Sequence, residues 1–257
     1  MTSRTIKPLP FWETVGRSFK YVLKNKKLQL ALIPVAVVLF LLQIVLKLPL
    51  MCSYNESFCT QGWQNTVSAI VSVIAAVGII INYCRSIICK EKVDFYSAMF
   101  FKRMAFYILW SFLLTFVVGI PVAIFIMIMS FTGIELNTML TVSLFLFFVV
   151  GVLLAPLIVA LPALAVDDYK VIKISKLFTL AKGNKMSIFF GQFIVMVPYM
   201  LLSKMFAYLY VFSGVNSYIM NLCFVFVTIC LSVLDASFKG AFFAHIYQFL
   251  KYYDKDK

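Results

Sequence analysis

Six long apolar stretches divide this chain, and they constrain its fold more than any other feature of the sequence. Each contains about the 20 residues that a helix needs to cross a hydrocarbon core roughly 30 Å thick. We therefore predict six transmembrane helices. The stretches cover residues 28–50, 66–84, 104–129, 138–166, 186–212 and 217–240.

The composition favours a helical membrane bundle over a soluble domain. Hydrophobic residues make up 63% of the chain and charged residues 13%, which leaves too few polar side chains to cover a water-exposed surface. Strands of a membrane barrel would alternate apolar and polar residues, whereas these stretches are continuously apolar. Because a helix satisfies its own backbone in lipid, we predict an all-α polytopic bundle that forms a single membrane domain over residues 1–257.

The distribution of basic residues predicts the orientation of the helices. All but two of the 23 Lys and Arg residues lie in alternate segments, namely the N-terminal segment up to Lys27, residues 85–103, residues 170–185 and the tail from Lys239. Basic connecting segments remain in the cytoplasm when a membrane protein inserts. We therefore expect an integral inner-membrane protein with both termini in the cytoplasm.

The net charge of +13 follows mostly from this one-sided distribution. It predicts attraction to anionic headgroups of the cytoplasmic leaflet, where each Lys or Arg contributes about 1 kcal/mol. The expected partners are membrane lipids, with a membrane-protein partner or a second copy of the chain as further possibilities, and no nucleic acid. We expect no cofactor and no metal, because the single His of the chain excludes a multi-His metal site.

Two of the basic segments have the periodicity of amphipathic helices that lie along a membrane surface. In residues 10–25 and again in residues 170–181, apolar residues recur at helical spacing while basic residues take the other positions. The basic side chains are therefore predicted to contact anionic lipid. They are Arg17, Lys20, Lys24, Lys170, Lys173 and Lys176.

The same two segments also predict an internal repeat. Asn25 lies between Lys24 and Lys26, and Asn184 lies between Lys182 and Lys185 with Gly183 before it. Both follow an amphipathic segment and precede an apolar stretch. Each unit would be an interfacial helix, a Lys/Asn elbow and a two-helix hairpin. We interpret the chain as three such repeats around an axis normal to the membrane, with a degenerate middle copy.

One stretch carries a family resemblance. It contains Leu161, Pro162 and Ala163 at the end of an apolar run, then Val166 and Asp167, and then Ser175, Leu180, Lys182, Gly183 and Asn184. This pattern resembles the bacterial YciC-like membrane proteins, which are related to the membrane domain of some glycerophosphodiester phosphodiesterases. The resemblance implies a helical inner-membrane protein of envelope maintenance, and it brings no catalytic residue with it.

A few polar residues near the apolar stretches are candidate sites. Asp235 and Lys239 are four residues apart in the last stretch, so we predict an ion pair on one helix face near the inner boundary. Lys204 lies near the outer boundary, where its stem can carry the ammonium to the headgroups, and a buried ion site is the alternative. The adjacent Asp167 and Asp168 are predicted to cap the basic helix that follows them.

Two further predictions concern the first outer segment and the C-terminal end of the chain. Cys52 and Cys59 lie in the first outer segment, where an oxidising exterior would allow a disulfide, and two free thiols are the alternative. Residues 241–253 are rich in aromatic residues and contain His245. They predict an amphipathic C-terminal extension that continues along the headgroups.

Three function classes are compatible with these features. The first is a non-enzymatic protein of membrane or envelope homeostasis that organises lipids or partner proteins. The second is a transporter or channel for a small solute or lipid, with a path near Pro156, Pro162 and Lys204. The third is an intramembrane enzyme that would use Asp167, Asp168, Asp235 or His245. The sequence contains no Gly-x-Ser-x-Gly elbow and no two-His zinc helix, which makes the enzyme the least favoured.

Overall fold

A computed structural model describes residues 8–52, 62–131, 136–213 and 218–255 of the chain. These residues form helices and connecting turns without strands, so the predicted all-α class is confirmed. Six of the helical segments are long and apolar enough to cross a membrane, as predicted. The helices are α1 Phe11–Lys24, α2 Lys26–Cys52, α3 Gly62–Ile88, α4 Ala98–Ser130, α5 Leu136–Ile158, α6 Ala160–Ala165, α7 Ile174–Leu180, α8 Lys185–Ser213 and α9 Tyr218–Lys255.

Proline divides the fourth span into two helices. The predicted stretch 138–166 forms α5 and the short α6, which meet at Val159. Pro162 has no backbone N–H to donate to the carbonyl of residue 158, and its ring crowds that carbonyl. The break at Val159 directly follows this carbonyl, and all six residues of α6 are buried.

The centre of the bundle is the pair α3 and α9, and α9 also packs against α1, α2, α6, α7 and α8. Gly240 makes the close approach of α3 and α9 possible. A Cβ at this position would lie 2.7 Å from the Tyr83 Cβ and 3.0 Å from both the Ile80 Cα and the Ile80 carbonyl oxygen. The two backbones are therefore in contact at this point, as small residues permit in membrane bundles.

The C-terminal part of α9 differs from the predicted extension. Residues 241–253 continue the last span as part of one helix, and their aromatic side chains are mostly buried instead of lying along the headgroups. Phe242 and Tyr247 are fully buried. The physical reason is that other parts of the bundle cover this end of α9. The Phe242 ring lies against Gly191 of α8, the Tyr247 hydroxyl donates to Asp168 and the Gln248 amide donates to the Ile87 carbonyl of α3.

Helix α1 is amphipathic as predicted, but one of its faces packs on the bundle instead of on the membrane surface. Thr14, Val15, Ser18 and Val22 are buried, and α1 packs against α9. Trp12 is 72% exposed and points away from this contact, as does Leu23. Helix α1 therefore has a face that packs on the bundle and a second apolar face that remains available to lipid.

The Asn elbows predicted for the first and third repeats both lie at helix junctions. Asn25 separates α1 from α2, and its carbonyl accepts the backbone N–H groups of Leu28 and Gln29 at the start of α2. Four residues, 181–184, separate α7 from α8, and the last of them, Asn184, accepts the Ile188 N–H with its carbonyl. In the middle copy the segment before α4 is non-helical, so this unit lacks an interfacial helix.

Candidate functional site

The four basic segments meet at one end of the bundle, which we call the basic face. The N-terminal segment reaches the third basic segment through the Leu9 N–H, which donates to the Asn184 side chain at 2.6 Å. The end of α9 reaches the end of α3 through Gln248, whose amide donates to the Ile87 carbonyl at 2.9 Å. The predicted alternation of basic segments thus corresponds to one continuous surface in the structure.

Asp167 holds two arginines at the centre of the basic face. Its carboxylate accepts from the Arg103 side chain at 2.7 to 3.0 Å and from the Arg85 Nη1 at 3.1 Å. The side chains of Arg85 and Arg103 are only 12% and 10% exposed. One carboxylate therefore joins α3, α4 and the segment after α6, and it compensates charges that would be costly to bury alone.

The backbone at Asp167 adopts a conformation that usually requires glycine. Its φ is 59°, and it follows the last turn of α6. The Asp168 N–H donates to the Ala163 carbonyl and the Asp167 N–H to the Leu164 carbonyl, which is the Schellman pattern that ends a helix. Glycine is the common residue at this position, and Asp tolerates it better than most residues. The carboxylate that Asp adds is the one that binds the two arginines.

Asp168 makes a second link, to the end of α9. Its Oδ2 accepts from the Tyr247 hydroxyl at 2.6 Å and from the Lys251 ammonium at 2.5 Å. The prediction that Asp167 and Asp168 cap the following helix is therefore wrong. Lys173 occupies the N-cap of α7 without a side-chain hydrogen bond, because both carboxylates are directed to arginine, lysine and tyrosine groups instead.

The positive neighbours lower the pKa of both carboxyl groups. Burial alone raises the pKa of Asp167 and of Asp168, but the hydrogen bonds and charges around each one outweigh it. For Asp167 the opposing groups are Arg103 and Arg85. For Asp168 they are mainly Lys251 and Tyr247. Both side chains are thus held as carboxylates in the folded protein.

These lowered pKa values predict acid lability of the basic face. A carboxyl group whose pKa is lower in the folded state stabilises the fold above its unfolded pKa, near pH 4, and this stabilisation is lost as the pH falls further. We expect the unfolding temperature in nanodiscs to drop more steeply below about pH 4 for the wild type than for the Asp167→Asn, Asp168→Asn double variant. Parallel pH profiles for the two proteins would contradict this assignment.

A basic groove lies between α1 and α9, beside the ion pairs. Two neighbouring cavities of about 630 and 480 Å³ form it, and both include Arg17 and His245 in their linings. Lys251 lines the first, and Lys20 and Lys24 line the second. The structure thus brings the first three predicted lipid-contact residues to one concave surface, which Lys251 and His245 of α9 complete.

The charges of this groove are only partly compensated within the protein. Arg17 pairs with Glu13 on the exposed side of α1, and Lys251 pairs with Asp168. Lys20 and Lys24 are exposed and have no carboxylate partner in the part of the chain that the structure describes. Two uncompensated ammonium groups in a concave surface favour an anionic ligand.

The predicted residues of the other interfacial segment lie elsewhere on the basic face. Lys170 and Lys173 are exposed and Lys176 is half-buried. They line neither cavity of the basic groove. They extend the basic face beyond the groove without forming part of it.

Two of the three intramembrane candidates, Asp235 and Lys239, form the predicted ion pair, and Lys204 is not part of it. Lys239 lies 2.5 Å from the Asp235 Oδ2, and both are largely buried. Lys204 is exposed on α8. Of the described residues, no three His, Cys, Asp or Glu side chains come together as a metal site. Of the four groups named for an enzyme, Asp167 and Asp168 bind cations of the fold and Asp235 binds Lys239. The fourth, His245, has a buried Nε2 without a hydrogen-bond partner among the described residues.

The predicted disulfide cannot be placed on this fold. Cys59 lies outside the described residues, and Cys52 is the last residue of α2, with a side chain that is not described. The cysteines with described side chains, Cys84, Cys89, Cys223 and Cys230, are free thiols.

Sequence reasoning missed the partners of the two aspartates. Arg85, Arg103 and Lys251 were interpreted only as topological signals, although their ion pairs with the two aspartates join α3, α4 and α9 to the segment after α6. The available signal was the position of Asp167 and Asp168, which are the only acidic residues between 136 and 234. Two carboxylates among basic segments on the same side of the membrane are the available counter-charges for the Arg and Lys residues of those segments.

The residues that carry the family resemblance have specific structural roles. Pro162 breaks the fourth span, Asp167 binds two arginines, Gly183 has a φ of 80° and Asn184 binds the N-terminal segment. Comparisons with protein-family models, with curated proteins and with solved structures found no match to this chain. The fold and its basic face are therefore the observations from which a function can be inferred: the chain is a six-span helical membrane protein with one concave, positively charged end.

Proposed function

We propose that the protein is a non-enzymatic, polytopic inner-membrane protein that binds and organises anionic lipids on the cytoplasmic side. The observation that carries this proposal is the basic groove between α1 and α9, with the uncompensated Lys20 and Lys24. In this proposal the basic face is cytoplasmic, in accordance with the positive-inside rule. Membership of the YciC-like group, with a role in envelope maintenance, is part of the same proposal.

The geometry suits a lipid headgroup better than a soluble anion. The groove opens at the level where α1 meets α2, at the boundary of the apolar core, since Asn25 and Lys24 line it. Trp12 and Leu23 expose apolar surface on the same helix. A phosphate could contact the lysines while acyl chains follow the apolar side of α1 and the start of α2, as in other interfacial helices.

The test is binding of phosphatidylglycerol to the detergent-solubilised protein, measured by native mass spectrometry. Detergent removes the general attraction to a charged membrane surface and leaves the site itself. We expect the Arg17→Gln, Lys20→Gln, Lys24→Gln variant to bind more than tenfold more weakly, because the substitutions remove three positive charges that line the groove.

A matched control removes three charges from the same face but outside the groove. Lys90, Lys92 and Lys102 are exposed in and beside the segment between α3 and α4, and they line neither groove cavity. Their replacement by Gln should leave phosphatidylglycerol binding within about twofold of the wild type. Equal losses in the two triple variants would show that net charge matters and the groove does not. Binding that survives the groove substitutions would refute the proposal.

A further inference from the structure

A third cavity lies within the membrane-spanning part of the bundle, away from the basic groove. Its volume is about 520 Å³, which is in the range of about 300–1,000 Å³ typical of small-ligand sites. Residues of α3, α4, α5, α6, α8 and α9 line it, and most of them are apolar. We call it the intramembrane cavity.

Several polar side chains interrupt this apolar wall. Tyr107 and Ser111 of α4, Gln192 of α8 and Lys239 of α9 line the cavity. The side chains of Tyr107, Ser111 and Gln192 form no hydrogen bond with any other described residue. At membrane depth an unsatisfied amide or hydroxyl costs several kcal/mol, so a polar group of an occupant would stabilise this wall.

The charge of the wall indicates the class of the occupant. Among the described residues that line the cavity, only Lys239 is charged, and its ammonium is compensated by Asp235 at 2.5 Å. An ionised headgroup would find no free counter-charge there, and its burial would be costly. An uncharged head that both donates and accepts hydrogen bonds matches the amide and the hydroxyls without that cost.

The cavity also contains space for an apolar chain. Gly119 of α4 lines it, and a Cβ at Gly119 would meet no atom within 4 Å. On the opposite side, Gly151 is filled by the Phe189 ring. Gly119 is itself exposed, so the cavity opens to the surrounding lipid along α4, beside apolar residues of α5 and α8.

We propose that the intramembrane cavity binds an uncharged, hydroxyl-bearing lipid of the acylglycerol class. One acyl chain lies along α4 beside Gly119, and the hydroxyl head contacts Gln192 and Lys239. This site is independent of the basic groove, because no residue lines both.

The test is retention of added dioleoylglycerol by the full-length protein in detergent, measured by native mass spectrometry, with oleate as the charged competitor. Gly119→Leu adds a side chain on the open α4 side of the cavity, where a Cβ meets no atom within 4 Å, and is expected to reduce dioleoylglycerol binding at least tenfold. Gln192→Leu keeps the side-chain size but removes the amide, and it should reduce binding at least fivefold. Each variant is first checked for an unchanged unfolding temperature, and if Gly119→Leu fails this check, Gln192→Leu decides.

Two controls separate the cavity from general effects. Ala123→Leu adds a similar side chain one turn further along α4, at an exposed position outside the lining, and should leave binding within twofold. The Lys20→Gln, Lys24→Gln variant should also retain dioleoylglycerol, even if it loses phosphatidylglycerol. Unchanged binding in both cavity variants would overturn the proposal. Preferential binding of oleate would overturn the assignment of an uncharged head.

Discussion

Replacing Asp167 with Asn is expected to destabilise the protein by about 2–4 kcal/mol, since removing one partner of a buried ion pair leaves the other uncompensated. Here two arginines lose their shared carboxylate, and both are nearly buried. Asn tolerates the left-handed backbone of this position about as well as Asp does. The lost stability therefore measures the effect of the carboxylate charge and not a strain in the turn. The free energy of unfolding in mixed SDS micelles measures it.

Glu91 supplies the matched control for this substitution. It also pairs with Arg85, but its side chain is 47% exposed, and exposed pairs contribute at most about 1 kcal/mol. Glu91→Gln should therefore be close to neutral. If Asp167→Asn and Glu91→Gln have equal effects, the central role of Asp167 is wrong. Asp167→Gly relaxes the backbone at φ 59° but removes the carboxylate, and it should resemble the Asn variant.

Gly240→Ala is expected to cost about 3 kcal/mol, at the upper end of the range for overpacking a filled core. The added methyl would lie 3.0 Å from backbone atoms of Ile80 and 2.7 Å from the Tyr83 Cβ. Backbone cannot rotate away as a flexible side chain can, so α3 and α9 must separate. The same unfolding measurement, with cysteine accessibility of the buried Cys84 as a local readout, checks this result. The Cys84 thiol contacts the Gly240 carbonyl at 3.5 Å, so it should become reactive in the variant.

Gly16→Ala is the corresponding control in α1. A Cβ at Gly16 would meet nothing within 4 Å, and alanine in a helix interior is favoured over glycine by roughly 0.5–1 kcal/mol. This variant should be neutral or slightly more stable than the wild type. A Gly240→Ala protein as stable as Gly16→Ala would mean that α3 and α9 are not in backbone contact.

The sequence was sufficient for the parts of the fold that depend on local chemistry. The six spans follow from the length of the apolar stretches, and the Asp235–Lys239 contact follows from helical spacing within one helix. The two Asn elbows follow from their place between an amphipathic and an apolar segment. These predictions needed no knowledge of which helices become neighbours.

The remaining features depend on contacts between distant segments. Lipid and protein can each cover an apolar helix face. Composition alone therefore cannot tell which of them covers the faces of α1 and the aromatic end of α9. Lys20 and Lys24 were predicted as lipid contacts, but the groove that they line depends on His245 and Lys251 of α9, which the sequence did not place beside them. The roles of Asp167 and Asp168 likewise required the positions of Arg103 and Lys251, which are 64 and 83 residues away.

The packing of α1 on α9 has a consequence for biogenesis. Helix α1 is the first of these helices to leave the ribosome, and its partner α9 is the last. Until synthesis ends, α9 is not present to cover the face of α1 that is buried in the finished fold. This face, with Thr14, Val15, Ser18 and Val22, therefore stays at the membrane surface during synthesis. The basic groove is consequently formed only by a finished chain. A nascent or truncated protein would carry the lysines without the concave surface that holds them together.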